Sequence, residues 1–447
     1  MLMISSMATS SPSSPSSPSS QTPTPADGRL GVLLPGVGAV SSTLIAGVLA
    51  ARNGGTTPVG SLSQLEFLPN PDDHDQAGPA IRDACGLASL DDIVFGGWDP
   101  ISANALDAAE TAGVLDSRDL EPVSAEMEGI VTMPAVFDQD WVRNLDPVRI
   151  KEVTSKWDAA LALIDDIERF RSEQNCDRLV MVWCGSTEVY RPAGDVHESI
   201  ESFEQGLKDN DPGIAPSQIY AYAAMMTETP YANGSPNVTC DAGFLEQLSL
   251  ERKVPICGKD FKTGQTLLKT TIAPALRARL LGVRGWFSTN ILGNRDGLVL
   301  DDPDSFKSKE VSKLGVLHDI LGPEQHPELY GEMDHEVRIN YYPPRGDQKE
   351  GWDNIDIFGW MDYPMQIKVN FLCRDSILAA PIVLDLALFM DLAARAGSSG
   401  VQEWLSFYFK APQPAIGSGA DGETPTVEHD LFRQRDDLLA QLNEWAG

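Results

Sequence analysis

The stretch from Arg29 to Arg52 constrains this chain more than any other. An apolar run, Arg29 to Leu34, leads into Pro35-Gly36-Val37-Gly38-Ala39-Val40-Ser41-Ser42-Thr43 and then a helix-like segment, Leu44 to Arg52. Strand, glycine turn and helix in that order open a dinucleotide-binding unit. Glycines permit the tight turn and close backbone approach, while the helix amino terminus offers NH groups and a positive dipole end to a pyrophosphate. The pattern is incomplete. Ser41 stands where a third glycine is usual, and Glu66 lies farther on than the roughly 20 residues expected of a ribose-binding acid. On these residues alone, an ordinary strand-turn-helix competes with dinucleotide binding.

Two further apolar runs, Asp92 to Gly96 and Leu179 to Trp183, read as buried strands, and an amphipathic helix over Val153 to Arg171 precedes the second. Alternation of this kind predicts a parallel sheet. After about Gly264 the texture changes, because Trp286 to Thr289, Val337 to Tyr342, Ile355 to Trp360 and Gln366 to Leu372 read as strands with fewer helices between them. A second, sheet-rich domain is expected. The longest apolar run, Ile377 to Ala394, approaches the roughly 20 residues that span a bilayer, but Pro381, Asp385 and Asp391 interrupt it. It reads as a buried helix beginning near Pro381, with its acids on a polar edge, returning to the first domain. The stretch 411–425 reads as a loop.

A chain of 447 residues exceeds what one core usually serves. Asp+Glu 65 against Lys+Arg 34 leaves a formal net charge of -31, which argues against nucleic acid and anionic lipid as partners. Six scattered cysteines suggest neither a disulfide framework nor a zinc site, so a reducing compartment and no metal are expected. Residues 1 to 27, rich in Ser, Pro and Thr, offer no signal-peptide apolar region and read as a disordered tail.

Several polar clusters end the apolar runs. Asp99 follows Gly96-Gly97-Trp98, at a carboxyl-terminal strand end where open parallel sheets place ligands, and Ser186-Thr187-Glu188 repeats the arrangement. Each also fits a helix cap. The basic run Phe306 to Lys313 sets Lys309 and Lys313 four apart on one helix face, a spacing that a solvated surface shares. Gly346-Asp347-Gln348-Lys349 and Cys373-Arg374-Asp375-Ser376 each place a carboxylate beside a cation at a strand end, and Lys410 follows the aromatic run Trp404 to Phe409.

Taken with Asn233-Gly234-Ser235-Pro236-Asn237, Gly258-Lys259-Asp260-Phe261-Lys262-Thr263-Gly264-Gln265-Thr266 and Leu292-Gly293-Asn294-Arg295-Asp296-Gly297, these motifs in this order resemble the inositol-1-phosphate synthases from about Gly31 to Pro412. Each motif is weak singly, and their joint order is highly specific. The resemblance implies an α/β fold: an NAD-binding Rossmann-like domain (28–266 and 379–447) with an inserted α+β catalytic and tetramerisation sheet domain (267–378). It also implies a cytoplasmic homotetramer that uses NAD and acts on glucose 6-phosphate.

By the same resemblance Gly36, Gly38, Ser41, Ser42 and Thr43 receive the NAD pyrophosphate. Asp99 meets the adenosine ribose, and Ser186, Thr187, Gly234, Asp260 and Asp375 lie along the cofactor. Lys309, Lys313, Lys349 and Lys410 surround the sugar phosphate, helped by Asn290, Asn294, Asp296 and Asp347. The chain departs from the family at the third glycine and at Arg295, where asparagine is common. The implied reaction oxidises carbon 5 of the open-chain sugar, forms an enolate at carbon 6, closes the ring on the carbon 1 aldehyde and returns the stored hydride, giving 1D-myo-inositol 3-phosphate. Each step develops negative charge on oxygen, for which preorganised ammonium groups are suited. An ordinary sugar-phosphate dehydrogenase and a catalytically idle NAD-binding oligomer are the competing readings.

Overall fold

The computed structural model describes residues 22–70, 76–300, 316–415 and 427–446. The strands in chain order are β1 (Leu30–Pro35), β2 (Phe67–Pro69), β3 (Ala77–Ala80), β4 (Ile93–Trp98), β5 (Arg178–Trp183), β6 (Tyr231–Asn233), β7 (Pro255–Gly258), β8 (Gly282–Leu292), β9 (Asp334–Tyr341), β10 (Gln348–Phe358), β11 (Pro364–Arg374) and β12 (Gly400–Val401).

Uninterrupted apolar runs make central parallel strands, because such strands are covered on both faces. All six residues of β1 are buried. The main sheet runs β12-β7-β6-β5-β1-β4, and every pair in it is parallel. Alternate β1 residues serve opposite cores. Val32 and Leu34 pack with the helices Ala39–Arg52 and Asp375–Arg395, and Leu33 packs with Lys156–Glu173 and its neighbours. From β4 on one side of β1 the chain crosses to β5 on the other. The carboxyl ends of β1 and β5 therefore form the topological switch point, where such sheets bind ligands.

A separate mixed sheet runs β11-β10-β8-β9, with β8 and β9 parallel and the other pairs antiparallel. Gly351, Asp353, Ile355 and Ile357 of β10 are buried, and Ile355 and Ile357 share a core with Ala273 and Leu276 of the helix Gly264–Ala278. Trp352 and Asp356, on the opposite face, are exposed. After this sheet the helix Asp375–Arg395 returns to the first core, and β12 completes the parallel sheet beside β7.

Two expectations change. The returning helix begins at Asp375, not near Pro381, and carries Pro381 in its interior. The ring is accommodated where Gly60 (φ +92) presents no side chain, a Cβ there falling 3.0 Å from Pro381 Cγ. Nor do its acids face a polar edge. Asp385 is fully buried and accepts from the Ser61 hydroxyl, the Leu62 and Ser63 amides and Tyr408. Asp391 is buried against Arg178 at 2.7 Å and Arg395 at 3.0 Å. Though long and apolar enough to cross a bilayer, this helix is a core element, with 67% of its most apolar window buried in the fold.

Of the expected N-terminal tail, residues 22–27 pack on the domain: Pro23 is buried, the Ala26 amide donates to Gly86 O at 2.9 Å, and Arg178 and Arg395 donate to the carbonyls of Asp27 and Thr24. Residues 1–21 lie outside the described residues.

Candidate active site

Gly36 begins the site. Its φ is +88, and a Cβ there would lie 2.4 Å from Gly185 Cα, so only glycine lets the turn after β1 touch the segment after β5. Gly38 then caps the helix Ala39–Arg52 with no side-chain hydrogen bond and no acid in the first turn. The amides at that helix start are left for an outside acceptor. The hydroxyls of Ser41, Ser42 and Thr43 turn inward instead. Ser41 donates to Gly36 O at 2.8 Å, Thr43 to Ala39 O at 2.7 Å and Ser42 to Ala39 O at 3.4 Å, so all three brace the turn and none lines the cavity.

The cavity beside this turn has a volume of about 450 Å³. Gly36, Gly38, Asp99, Ser186, Thr187, Gly234 and Asp260 line it from the carboxyl ends of the parallel sheet, with Lys410 beside Asp260, and Asn294, Asp347 and Asp375 line it from across the cleft. Asp99 lines the cavity, and its Oδ1 accepts from the Ile101 and Ser102 amides at 2.9 and 2.6 Å, but it caps no helix, since the next one, Ala105–Ala112, is capped by Asn104. Burial raises the Asp99 pKa, against the pull of those amides. Gly234 is required by close packing, since a Cβ there would fall 2.0 Å from the Phe261 ring.

Two ion pairs border the cavity. Lys410 Nζ lies 3.0 Å from Asp260 Oδ1 with both side chains buried, and Lys349 Nζ lies 2.6 Å from Asp375 Oδ2. Lys349 reaches the cavity through that carboxylate and does not line it. Asn294 donates to Asp347 Oδ1 at 2.8 Å. Burial, with Asp375 nearby, pushes the Asp347 carboxyl up to about 6, although the Asn294 hydrogen bond opposes the shift.

Asn290 stands apart from this group, buried with its amide on Gln265 Oε1, outside the cavity wall. Asp296 belongs to the short helix Arg295–Leu300, while Lys309 and Lys313 lie outside the described residues. Arg295, Ser376 and Glu188 also line the cavity, although none is among the site residues that the resemblance implies. All three sit inside or beside motifs already singled out, which is the signal that could have found them. Two buried lysines were missed. Lys262 donates to Gln434 Oε1, and Lys269 lies 2.7 Å from His335 Nε2; burial lowers their ammonium groups to about 7 and about 8.

A glycine turn at the switch point of a parallel sheet, with an uncapped helix start and a cavity wall that carries Lys410, Arg295 and several carboxylates, is the geometry of a dinucleotide-dependent enzyme acting on a small polar substrate. The sequence model of a family described as myo-inositol-1-phosphate synthase matches residues 30–442. The chain is 53% identical to inositol-3-phosphate synthase 1 of Bacteroides thetaiotaomicron over 412 residues, covering 92% of this chain and 94% of that one. A probable inositol 3-phosphate synthase isozyme 3 of Arabidopsis thaliana is 33% identical, covering 82% of this chain and 75% of its own length. The crystal structure of inositol-3-phosphate synthase from Caenorhabditis elegans superposes with a TM-score of 0.85 at 26% identity, over 94% of this chain and 86% of the other. This chain belongs to the myo-inositol-1-phosphate synthase family, whose members bind NAD.

Proposed function

We propose that this chain is an inositol-3-phosphate synthase, an isomerase that converts D-glucose 6-phosphate into 1D-myo-inositol 3-phosphate with NAD. One observation carries the reading: residues from both sheets, among them Gly36, Asp99, Asp260, Asp375 and Lys410, meet at a single cavity. The Gly36 turn and the open amides of the helix Ala39–Arg52 suit a pyrophosphate, and Asp99 suits a ribose hydroxyl. Ser186, Thr187, Gly234, Asp260 and Asp375 would continue along the cofactor. NAD, when bound, supplies the hydride acceptor and returns the hydride within one turnover.

The chain's own groups do the rest. Lys410 and Lys349, each fixed by a carboxylate, would hold ammonium charge against the oxyanions of the ketone, enolate and aldol stages, which is worth most where water is excluded. Lys309 and Lys313 would complete the cation set around the phosphate. Asn294 and Asp347 would grip sugar hydroxyls, and Asn290 and Asp296 keep the substrate-binding part that the resemblance gives them.

The domain reading is the one drawn from sequence: an NAD-binding domain from both chain ends with an inserted sheet domain. A homotetramer built on that inserted sheet accounts for its outer side, where edge strand β11 and the turn before it expose Leu372, Met365, Tyr363 and Trp360, the last 89% exposed. A cytoplasmic location accords with six free cysteines. Incubation with glucose 6-phosphate and NAD, with the product identified by nuclear magnetic resonance, tests the reaction. An oxidised sugar acid would indicate the dehydrogenase, and cofactor binding with no product would indicate the idle oligomer.

A further inference from the structure

We propose that Lys269 and His335 form an acid-sensitive joint in the second sheet: the buried ammonium donates to the imidazole, and a proton arriving on that imidazole breaks the contact, frees edge strand β9 and lowers activity reversibly. The pair lies away from the cavity, and its effect on stability does not depend on which substrate the cavity takes.

Lys269 leaves the helix Gly264–Ala278 toward the sheet, is 2% exposed, and sets its Nζ 2.7 Å from His335 Nε2. His335 stands on β9 in register with Trp286 of β8, on the side of the strand that also carries buried Val337. β9 is at the edge of its sheet, with β8 as its neighbour, so a contact beneath it matters more than one beneath β8 or β10, which are held on both sides. The strand leads toward the cavity. Just beyond it the Tyr342 amide donates to Leu292 O at 2.8 Å, and the Gly293 amide donates to Gly346 O at 3.0 Å, one residue before Asp347. A displaced β9 therefore disturbs both turns that carry Asn294 and Asp347.

The chemistry of the two groups sets the direction. An ammonium has donors and no acceptor, and a neutral imidazole has one nitrogen of each kind. While Lys269 is charged, the contact needs the lone pair of Nε2. A proton placed there leaves two donors face to face and two like charges in a buried place, which the fold relieves by parting them. Asp353 of β10, the acid that favours the Lys269 ammonium, is already engaged: its Oδ1 accepts from Trp286 at 2.8 Å and from Ser288, and its Oδ2 from Gln265 at 3.1 Å. Burial is the largest cause lowering Lys269 to about 8, against Asp353, so the ammonium form prevails at neutral pH.

The other charged groups of this layer have partners of their own. On the helix 316–321, which shares the core of Ala273 and Trp286, His318 pairs with Glu324 at 3.1 Å and Asp319 with His429 at 3.2 Å. Arg277 donates to Gln325 at 2.9 Å, Glu336 pairs with Arg338 on the opposite side of β9, where Asp334 is exposed, and the Tyr330 phenol is raised by burial. In the unfolded chain an imidazole takes up its proton near pH 6.5, roughly where the native contact resists it. The unfolded state then binds more protons as pH falls through that value, so the joint's stability is present above it and lost on the acid side.

The test compares melting of the full-length protein with that of H335Q and K269M from about pH 5 to pH 7.5, below the range in which Lys269 loses its proton. H335Q keeps an acceptor for the ammonium and has no titrating ring. It should melt within about 2 °C of the parent at the upper end and several degrees above it at the lower, because the parent's melting temperature falls with acid and the variant's falls less. The other histidines titrate alike in both proteins and cancel in the difference. K269M removes the cation and should also flatten the acid slope, whatever its melting temperature at neutral pH. Assayed at the acid end, the parent should lose activity that H335Q keeps, and regain it on return to pH 7.5. A constant difference between parent and H335Q would reduce the pair to an ordinary buried hydrogen bond. A parent-like slope in K269M would place the acid response elsewhere, and equal acid loss of activity in parent and H335Q would remove the joint from control of the enzyme. Each of these results overturns the inference.

Discussion

Lys410 Nζ stands 3.0 Å from Asp260 Oδ1, and the Lys410 amide donates to the Asp260 carbonyl at 2.7 Å, so side chain and backbone lock one edge of the cavity together across 150 residues of sequence. Because both charges are buried, Lys410→Met does more than remove a charge from the site. It takes the buried ammonium partner from the Asp260 carboxylate, and breaking a buried pair on one side costs about 3–5 kcal/mol. The variant should lose roughly a hundredfold or more in turnover and also melt earlier. The double variant Lys410→Met with Asp260→Asn should regain most of the melting temperature and none of the turnover. Recovery of both would make the pair purely structural.

Gly36→Ala tests the turn. Its positive φ and the close Gly185 backbone leave no room for a methyl group, so the turn must shift away from the place offered to the pyrophosphate. NAD affinity should fall by roughly tenfold or more, which is about 1.4 kcal/mol of binding. Gly38→Ala is the comparison, since a Cβ there has nothing within 4 Å, and its affinity should fall less. Equal effects would place the cofactor elsewhere.

At the amino terminus the boundary matters. Deleting residues 1–21 should leave activity and melting temperature nearly unchanged, whereas deleting 1–27 removes the carbonyls of Thr24 and Asp27 that Arg395 and Arg178 hold, and so loosens the buried Asp391 cluster. Scanning calorimetry should show a lower melting temperature only for the longer deletion. Equal melting of both would mean that 22–27 contribute no stability.

Much of this was legible in the sequence, for physical reasons that particular elements make plain. β1 and β5 were readable because strands covered on both faces need unbroken apolar runs, and Gly36 because its turn admits no side chain. The second sheet's strands were found but drawn short. β10 spans Gln348–Phe358, where the reading took Ile355 to Trp360, because buried Asp353 broke the apolar pattern. That aspartate accepts from Trp286, Ser288 and Gln265, partners 67, 65 and 88 residues away that no local pattern reveals. The same holds for Asp385 and Asp391, read as edge residues when distant donors satisfy them in the core. Ser41, Ser42 and Thr43 stand at the helix start that the sequence pattern indicates. Their helix start borders the cavity, but their hydroxyls bond back to Gly36 and Ala39.

Glu188 gives a prediction in pH. Burial is the largest cause raising its carboxyl from 4.5 to about 7, against the Ser217 hydrogen bonds. Between those values the unfolded chain has lost a proton that the native state keeps, so native stability falls as pH rises from about 4.5 to about 7, by up to about 1.4 kcal/mol per pH unit, and levels off above. Glu188→Gln removes this slope. The melting temperature of the variant relative to the parent should therefore climb across that window and stay constant beyond it. A difference independent of pH would mean that Glu188 is already ionised throughout.

The central claim, that NAD is reduced and reoxidised within one turnover of an isomerase, is tested most directly by following glucose 6-phosphate, inositol phosphate and NADH absorbance together with NAD held far below substrate. The account predicts inositol phosphate in many-fold excess over total NAD with no steady rise in NADH. NADH growing in step with sugar consumed, with product never exceeding the NAD supplied, would contradict it.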